Sequence, residues 1–170
     1  MIRYRPPPPP KSPYITAEGA RNMRSELKHL WEVERPIVTD AVHEAAKNGD
    51  RSENGDYIYG KQRLRKIDSR VRYLSKRLEN AVIVSSSPSD DSKVFFSAYV
   101  TLEQDDGSTL SIRIVGCDEI DAKRNWISCD SPMAKALLGK SIGDDIHVDT
   151  PTGTNTHSVL DIRYDDPQNN

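Results

Sequence analysis

The sequence predicts an α+β protein: an N-terminal antiparallel helical coiled-coil hairpin, then a small antiparallel β-sheet domain with one short helix. Three observations predict it. Apolar residues recur three or four apart over two long stretches up to Ala81, the spacing of a helical seam. A polar run, KNGDRSENGD, separates those stretches. From Pro88 onward the period changes to short runs rich in Val, Ile, Tyr and Thr, which is the pattern of strands.

The elements follow in order. Pro6 to Pro10 forbid helix and favour an extended chain, so residues 1–13 read as a disordered proline-rich tail. Residues 14–86 read as the coiled coil. Thr16 is a suitable helix N-cap, and Ala20, Met23, Leu27, Leu30, Ile37, Ala41 and Ala45 supply the first seam. Pro36 should kink or divide this helix near Glu34 and Arg35. The second seam is more regular: Tyr57, Gly60, Leu64, Ile67, Val71, Leu74, Leu78 and Ala81. Two such runs joined by a polar turn make an antiparallel hairpin, a rod about 40 Å long at 1.5 Å per residue.

Residues 87–170 form the second domain. KVFFSAYVTL, STLSIRIVG, NWISCD, DIHVDT and THSVLDIRY are its expected strands, mostly antiparallel. SPMAKALLG is a short helix, with Ser131 as N-cap, Pro132 at the first helical position and Gly139 at the stop.

Composition narrows the function classes. Hydrophobic residues are 35% and charged residues 29% of the chain, which suits an extended part better than one compact core. No apolar run approaches the roughly 18 residues of a membrane span, so no membrane role is expected. Cys117 and Cys129 are isolated, which points to a reducing, cytoplasmic setting without disulfides. The net charge of −2 hides a polarity. Residues 1–87 hold 17 Lys+Arg against 11 Asp+Glu, net +6, and residues 88–170 hold 7 against 15, net −8. The positive surplus concentrates in residues 61–77, where Lys61, Arg63, Arg65, Lys66, Arg70, Arg72, Lys76 and Arg77 face only Asp68. A helix so one-sided in charge suits a polyanion such as RNA, and Arg63, Lys66, Arg70 and Arg77 are its candidate contacts.

The polar turn, residues 49–56, carries Asp50, Glu53 and Asp56. Two readings stand side by side. Asp50-x-x-Glu53 has the spacing of a capping box, with Gly49 ending the first helix in the left-handed conformation. The same acids offer hard oxygen ligands suited to Mg²⁺, too few to hold it alone and useful where another molecule supplies the rest. Trp31 reads as a packing residue and not as a base-stacking platform. The histidines at 29, 43, 147 and 157 lack metal-motif spacing and read as surface or structural.

GDRSENGDYIYGKQRLRKIDSRVRYLSKRLEN, with SPYITAEGARNMRSELKHLWEVERP before it and RIVGCDEI and ISCDSPMAKALLGKSIGDDI after it, resembles the Gre transcript-cleavage factors of bacterial RNA polymerase, the GreB type more than GreA. The resemblance runs from about Ser12 to Tyr164. It departs from the pattern at Gly55, where alanine is usual, at Cys117, where an aromatic is common, and in the proline tail. The resemblance implies a C-terminal domain like FKBP that docks at the rim of the polymerase secondary channel, with Asp130, Ser131, Pro132 and Met133 as its contacts. It implies a coiled coil that enters the channel toward the nascent RNA 3′ end. It implies that Asp50 and Glu53 act there on a Mg²⁺ ion held jointly with the polymerase and bound weakly or not at all by the isolated protein. Arg51, Asn54 and Asp56 support the tip in this reading. The protein would stimulate RNA cleavage in trans without being an enzyme, and no small-molecule substrate is expected. Two other readings stay open: a non-catalytic regulator or inhibitor in the same channel, and an RNA-binding coiled-coil module.

Overall fold

The computed structural model describes residues 10–47, 51–85, 88–150 and 153–164. The proline run up to residue 9 and the last six residues lie outside them. The chain divides into two compact units, Glu18–Ala81 and the remainder. No described helix is long and apolar enough to cross a membrane.

The first unit is the hairpin. Helix α1 (Ala17–His29) runs into a π turn (Leu30–Glu34), then α2 (Arg35–Ala45), and α3 (Gly55–Glu79) returns beside them. The expected interruption at Pro36 is the π turn. Proline has no N–H for the carbonyl four residues back, and its ring crowds that carbonyl. The wider turn, closed by the Arg35 N–H on the Leu30 carbonyl, relieves both.

That turn corrects the first seam. Ala20, Met23, Leu30 and Ala45 are buried as expected, but Ile37 is 64% exposed and Ala41 is exposed. The π turn takes up one extra residue, so every later position is rotated out of phase. Val38 and Val42 are half-buried in place of Ile37 and Ala41. On α3 the seam holds throughout: Ile67 and Leu74 are buried, Tyr57, Gly60, Leu64, Val71 and Leu78 are half-buried, and so is Ala81 just past its end. The arms approach closely at Gly60, where a Cβ would lie 2.5 Å from Val42 Cγ2.

The second unit contains two sheets. Strands β1 (Tyr14–Thr16) and β2 (Val82–Val84) pair in parallel, with Tyr14 opposite Val82 and Thr16 opposite Val84. Thr16 stands directly before α1, at the expected cap position, and it also donates its hydroxyl to the Glu119 carboxylate, with its N–H 3.0 Å from the same group. The larger sheet has five strands in the order β5-β4-β3-β7-β6. They are β3 (Tyr99–Gln104), β4 (Thr109–Val115), β5 (Trp126–Ser128), β6 (Asp145–Thr150) and β7 (Gly153–Arg163), with α4 (Pro132–Leu137) between β5 and β6. Three pairings are antiparallel, but β4 and β5 run parallel, so the sheet is mixed. The loop from Gly116 to Asn125 carries the chain back to make that parallel pair.

One sheet face packs its alternate residues, Val100, Leu102, Ile112, Ile114, Ile146 and Val148, against Ala134 and Leu137 of α4. On β7 the buried positions step from Val159 to Ile162, because a bulge shifts the register opposite Thr101 and Leu102. The expected strand from Lys93 begins only at Tyr99, since Ser97 has φ of 75° and breaks the extended run.

Candidate functional site

The polar turn is organised by one residue. Asn54 is extended (φ −84°, ψ 101°) and is the N-cap of α3. Its Oδ1 accepts from the Tyr57 N–H at 3.1 Å, satisfying one of the orphan donors of the first turn. Its Nδ2 donates to the Ala45 carbonyl at 2.8 Å, satisfying an orphan acceptor at the end of α2. One side chain therefore fastens both helix ends. The capping box expected of Asp50 and Glu53 is corrected: the cap stands at Asn54, and Glu53 precedes it. Gly49 and Asp50 themselves lie outside the described residues.

Relieved of capping, Glu53 and Asp56 are uncommitted. Glu53 and Asp56 are exposed, and among the described residues neither makes a hydrogen bond or ion pair. Asp56 lies in the first turn of α3, where the helix dipole favours an anion. The Arg51 guanidinium lies 5.9 Å from the centroid of the Tyr57 ring. Among the described residues no three His, Cys, Asp or Glu side chains group closely enough to hold a metal ion by themselves. Glu53 and Asp56 nonetheless fit Mg²⁺ as partial donors, being hard oxygens open to solvent.

The basic helix is less uniform than its sequence. Arg70 donates from Nε and Nη2 to the two carboxylate oxygens of Glu26 at 2.7 and 2.8 Å. This guanidinium holds the Glu26 carboxyl below the usual range, chiefly by hydrogen bonding. Arg63 Nε donates to Glu34 at 2.7 Å, and Arg35 of α2 pairs with Asp68 at 2.8 Å. Arg77 is half-buried and engaged within the structure. Of the candidate RNA contacts, Lys66 is exposed without an ion pair among the described residues. Arg65, Arg72 and Lys76 share that state. The acids opposite, Glu26 and Glu34, were visible in the sequence, but pairing them with α3 needs the hairpin register. Trp31 is likewise corrected: it is 54% exposed, with the Arg35 guanidinium 5.0 Å from its ring centroid.

In the second unit the Asp130–Met133 segment is largely used by the fold. The Asp130 carboxylate accepts from the Ser12 N–H at 2.9 Å. Ser131 caps α4, its Oγ accepting from the Ala134 N–H at 3.2 Å, as the sequence indicated. Met133 packs against the core, and Pro132 is exposed. His157 is buried with its Nδ1 unpartnered among the described residues, while His29, His43 and His147 are exposed.

Comparison with known proteins gives this geometry a family. Residues 13–83 match the model for the N-terminal domain of a transcription elongation factor (GreA/GreB), and residues 88–164 match the GreA/GreB C-terminal model. The chain is 54% identical over 164 residues to transcription elongation factor GreB of Pseudomonas aeruginosa, covering 96% of this chain and 98% of that protein. It is 59% identical over 155 residues to transcription elongation factor GreB of Pasteurella multocida, covering 91% of this chain and 98% of that one. With both halves matched and the hairpin and sheet domain in place, the chain belongs to the GreA/GreB family of transcription elongation factors.

Proposed function

We propose that this protein is a GreB-type elongation factor that enters the secondary channel of RNA polymerase and stimulates cleavage of backtracked RNA. It is not an enzyme by itself; it completes an activity that the polymerase holds. The observation that carries the reading is the division of labour at the turn. Asn54 does the capping, which leaves the Glu53 carboxylate exposed and uncommitted beside a fixed anchor.

In this reading Asp50 and Glu53 add carboxylate oxygens to a Mg²⁺ ion shared with the polymerase. Such an ion, when bound, activates water and stabilises the leaving oxygen. Asn54 holds the turn, Asp56 adds negative charge at the start of α3, and Arg51 is available to an RNA phosphate. Lys66, with Arg63, Arg70 and Arg77, attracts the extruded RNA 3′ segment along α3. Asp130 to Met133 present the rim contact, with Pro132 as the exposed member.

The test is a backtracked complex with 5′-labelled RNA, incubated with the protein and Mg²⁺. Shortened RNA that the polymerase re-extends is the expected result. Asp50→Ala with Glu53→Ala should remove the stimulation while polymerase binding and thermal melting stay unchanged, because the cap is elsewhere. Continued cleavage by that double variant defeats the metal-donor role. Polymerase binding without cleavage by the parent protein makes it a channel regulator instead.

A further inference from the structure

The hairpin holds a second feature that its cap and cross-hairpin ion pairs do not use. A groove of about 480 Å³ opens between α1 with its π turn and α3, lined by Arg24, Leu27, Lys28, Trp31, Glu32 and Val71. Leu27 and Val71 are half-buried and give it an apolar floor. The Trp31 indole stands at its wall with 54% of its surface open. A large aromatic left in water beside a concave apolar floor is the kind of exposure that marks a binding site.

Two of the lining residues, Arg24 and Lys28, are cations, against one acid, Glu32. Arg24 is exposed and makes no ion pair among the described residues. Lys28 approaches Glu32 only at 3.9 Å. On α3, Arg72 and Lys76 each follow a residue of the lining, Val71 and Ser75, and are exposed without an ion pair among the described residues. Across the seam the situation is reversed, since Glu34 and Glu26 neutralise Arg63 and Arg70. An acidic peptide would satisfy the cations but makes no particular use of an open indole. A nucleotide unit uses both, its base stacking on the ring and its phosphates meeting the cations.

We propose that this groove binds a base of single-stranded RNA, with Trp31 as the stacking surface and Arg24 and Arg72 holding the flanking phosphates. The inference rests on the reading above, in which extruded RNA follows the hairpin. Val71 lies sixteen residues along α3 from Gly55, about 24 Å at 1.5 Å per residue. At a stacked spacing of 3.4 Å that is about seven nucleotides, fewer if the strand is stretched. The groove is then a second hold, reached only by longer extruded strands.

The test begins with the full-length protein carrying Trp126→Phe, which leaves Trp31 as its sole tryptophan. Titration with an eight-uridine RNA at low salt should quench Trp31 emission. Arg24→Glu with Arg72→Glu, both at exposed positions, should weaken that titration by about tenfold or more. Unchanged emission overturns the proposal. So does equal quenching by uridine monophosphate, which would make it a free-nucleotide site, or by hexaglutamate, which would make it an acidic-peptide site. In backtracked complexes, Trp31→Leu should slow cleavage about fivefold or more for ten extruded nucleotides, leave two-nucleotide complexes unaffected, and be rescued by Trp31→Phe. Equal slowing of both complexes, or of neither, overturns the proposal. If the parent protein shortens no RNA at all, the cleavage reading fails and the titration alone still decides the groove.

Discussion

Asn54 offers the sharpest check on how the turn is built. Asn54→Ala removes the acceptor for the Tyr57 N–H and the donor to the Ala45 carbonyl. Loss of an N-cap costs about 1 kcal/mol. Loss of the second bond, at the end of a helix whose Ala45 is buried, costs about 1 kcal/mol more. The sum, about 2 kcal/mol, falls on the turn and not on the whole hairpin, because helix ends open locally. At 1.4 kcal/mol per tenfold, the Tyr57 amide should exchange with solvent roughly 30-fold faster. Asn54→Asp keeps the acceptor and loses only the donor, so its effect should be about fivefold. Native-state hydrogen exchange followed by NMR reads both, with the buried Leu74 in mid-helix as an internal reference. Stimulated RNA cleavage should fall in the order parent, Asn54→Asp, Asn54→Ala, with polymerase affinity unchanged. Exchange at Tyr57 within about twofold of the parent in Asn54→Ala would refute the argument that this side chain fastens the two helix ends.

Two further outcomes follow from packing and charge. Gly60→Ala should destabilise the hairpin despite alanine's better helix propensity: a Cβ 2.5 Å from Val42 Cγ2 forces the arms apart, costing about 1–3 kcal/mol against a gain of about 1. Melting should drop by a few degrees and recover when Val42→Ala is added; a rise in the single variant would show that the close approach is not rigid. Glu26 has its folded pKa lowered, mainly by the hydrogen bond from Arg70, so its contribution is present above its ordinary value of 4.5 and is lost as pH falls through the lower folded value. Glu26→Gln should therefore flatten the acid limb of stability below about pH 5, by no more than a few tenths of a kcal/mol for so exposed a pair. A steeper acid limb in that variant would reverse the assigned sign.

What the sequence revealed, and what it hid, divides by the range of the interaction. The α3 seam was legible because a strict alternation of threes and fours needs only local geometry. The caps of α4 were legible for the same reason: Ser131 accepts from the Ala134 N–H, and Gly139 adopts φ of 83°. The π turn was half legible. Pro36 announced an interruption, but not that one residue would be taken up and turn Ile37 and Ala41 outward. At the tip, Asp50-x-x-Glu53 satisfied a local rule, yet Asn54 won because it serves both helices, a relation that exists only once they are side by side. Arg63 and Arg70 looked like free cations for the same reason. Arg113 gave no local signal at all: it is buried because β3 and β5 bring Tyr99 and Trp126 to 4.7 and 4.5 Å of its guanidinium.

The π turn has a bearing on how such a probe tolerates change. A helix that already stores one residue in its middle has slack, like a spare link in a chain. Shortening that arm by one residue in the Leu30–Glu34 stretch, with Pro36→Ala to allow regular winding, would spend the slack and leave Val38, Val42 and Ala45 facing α3 as before. The acids at the turn would not move, so the reach of the probe is set by its seam and not by the number of residues that climb one side of it.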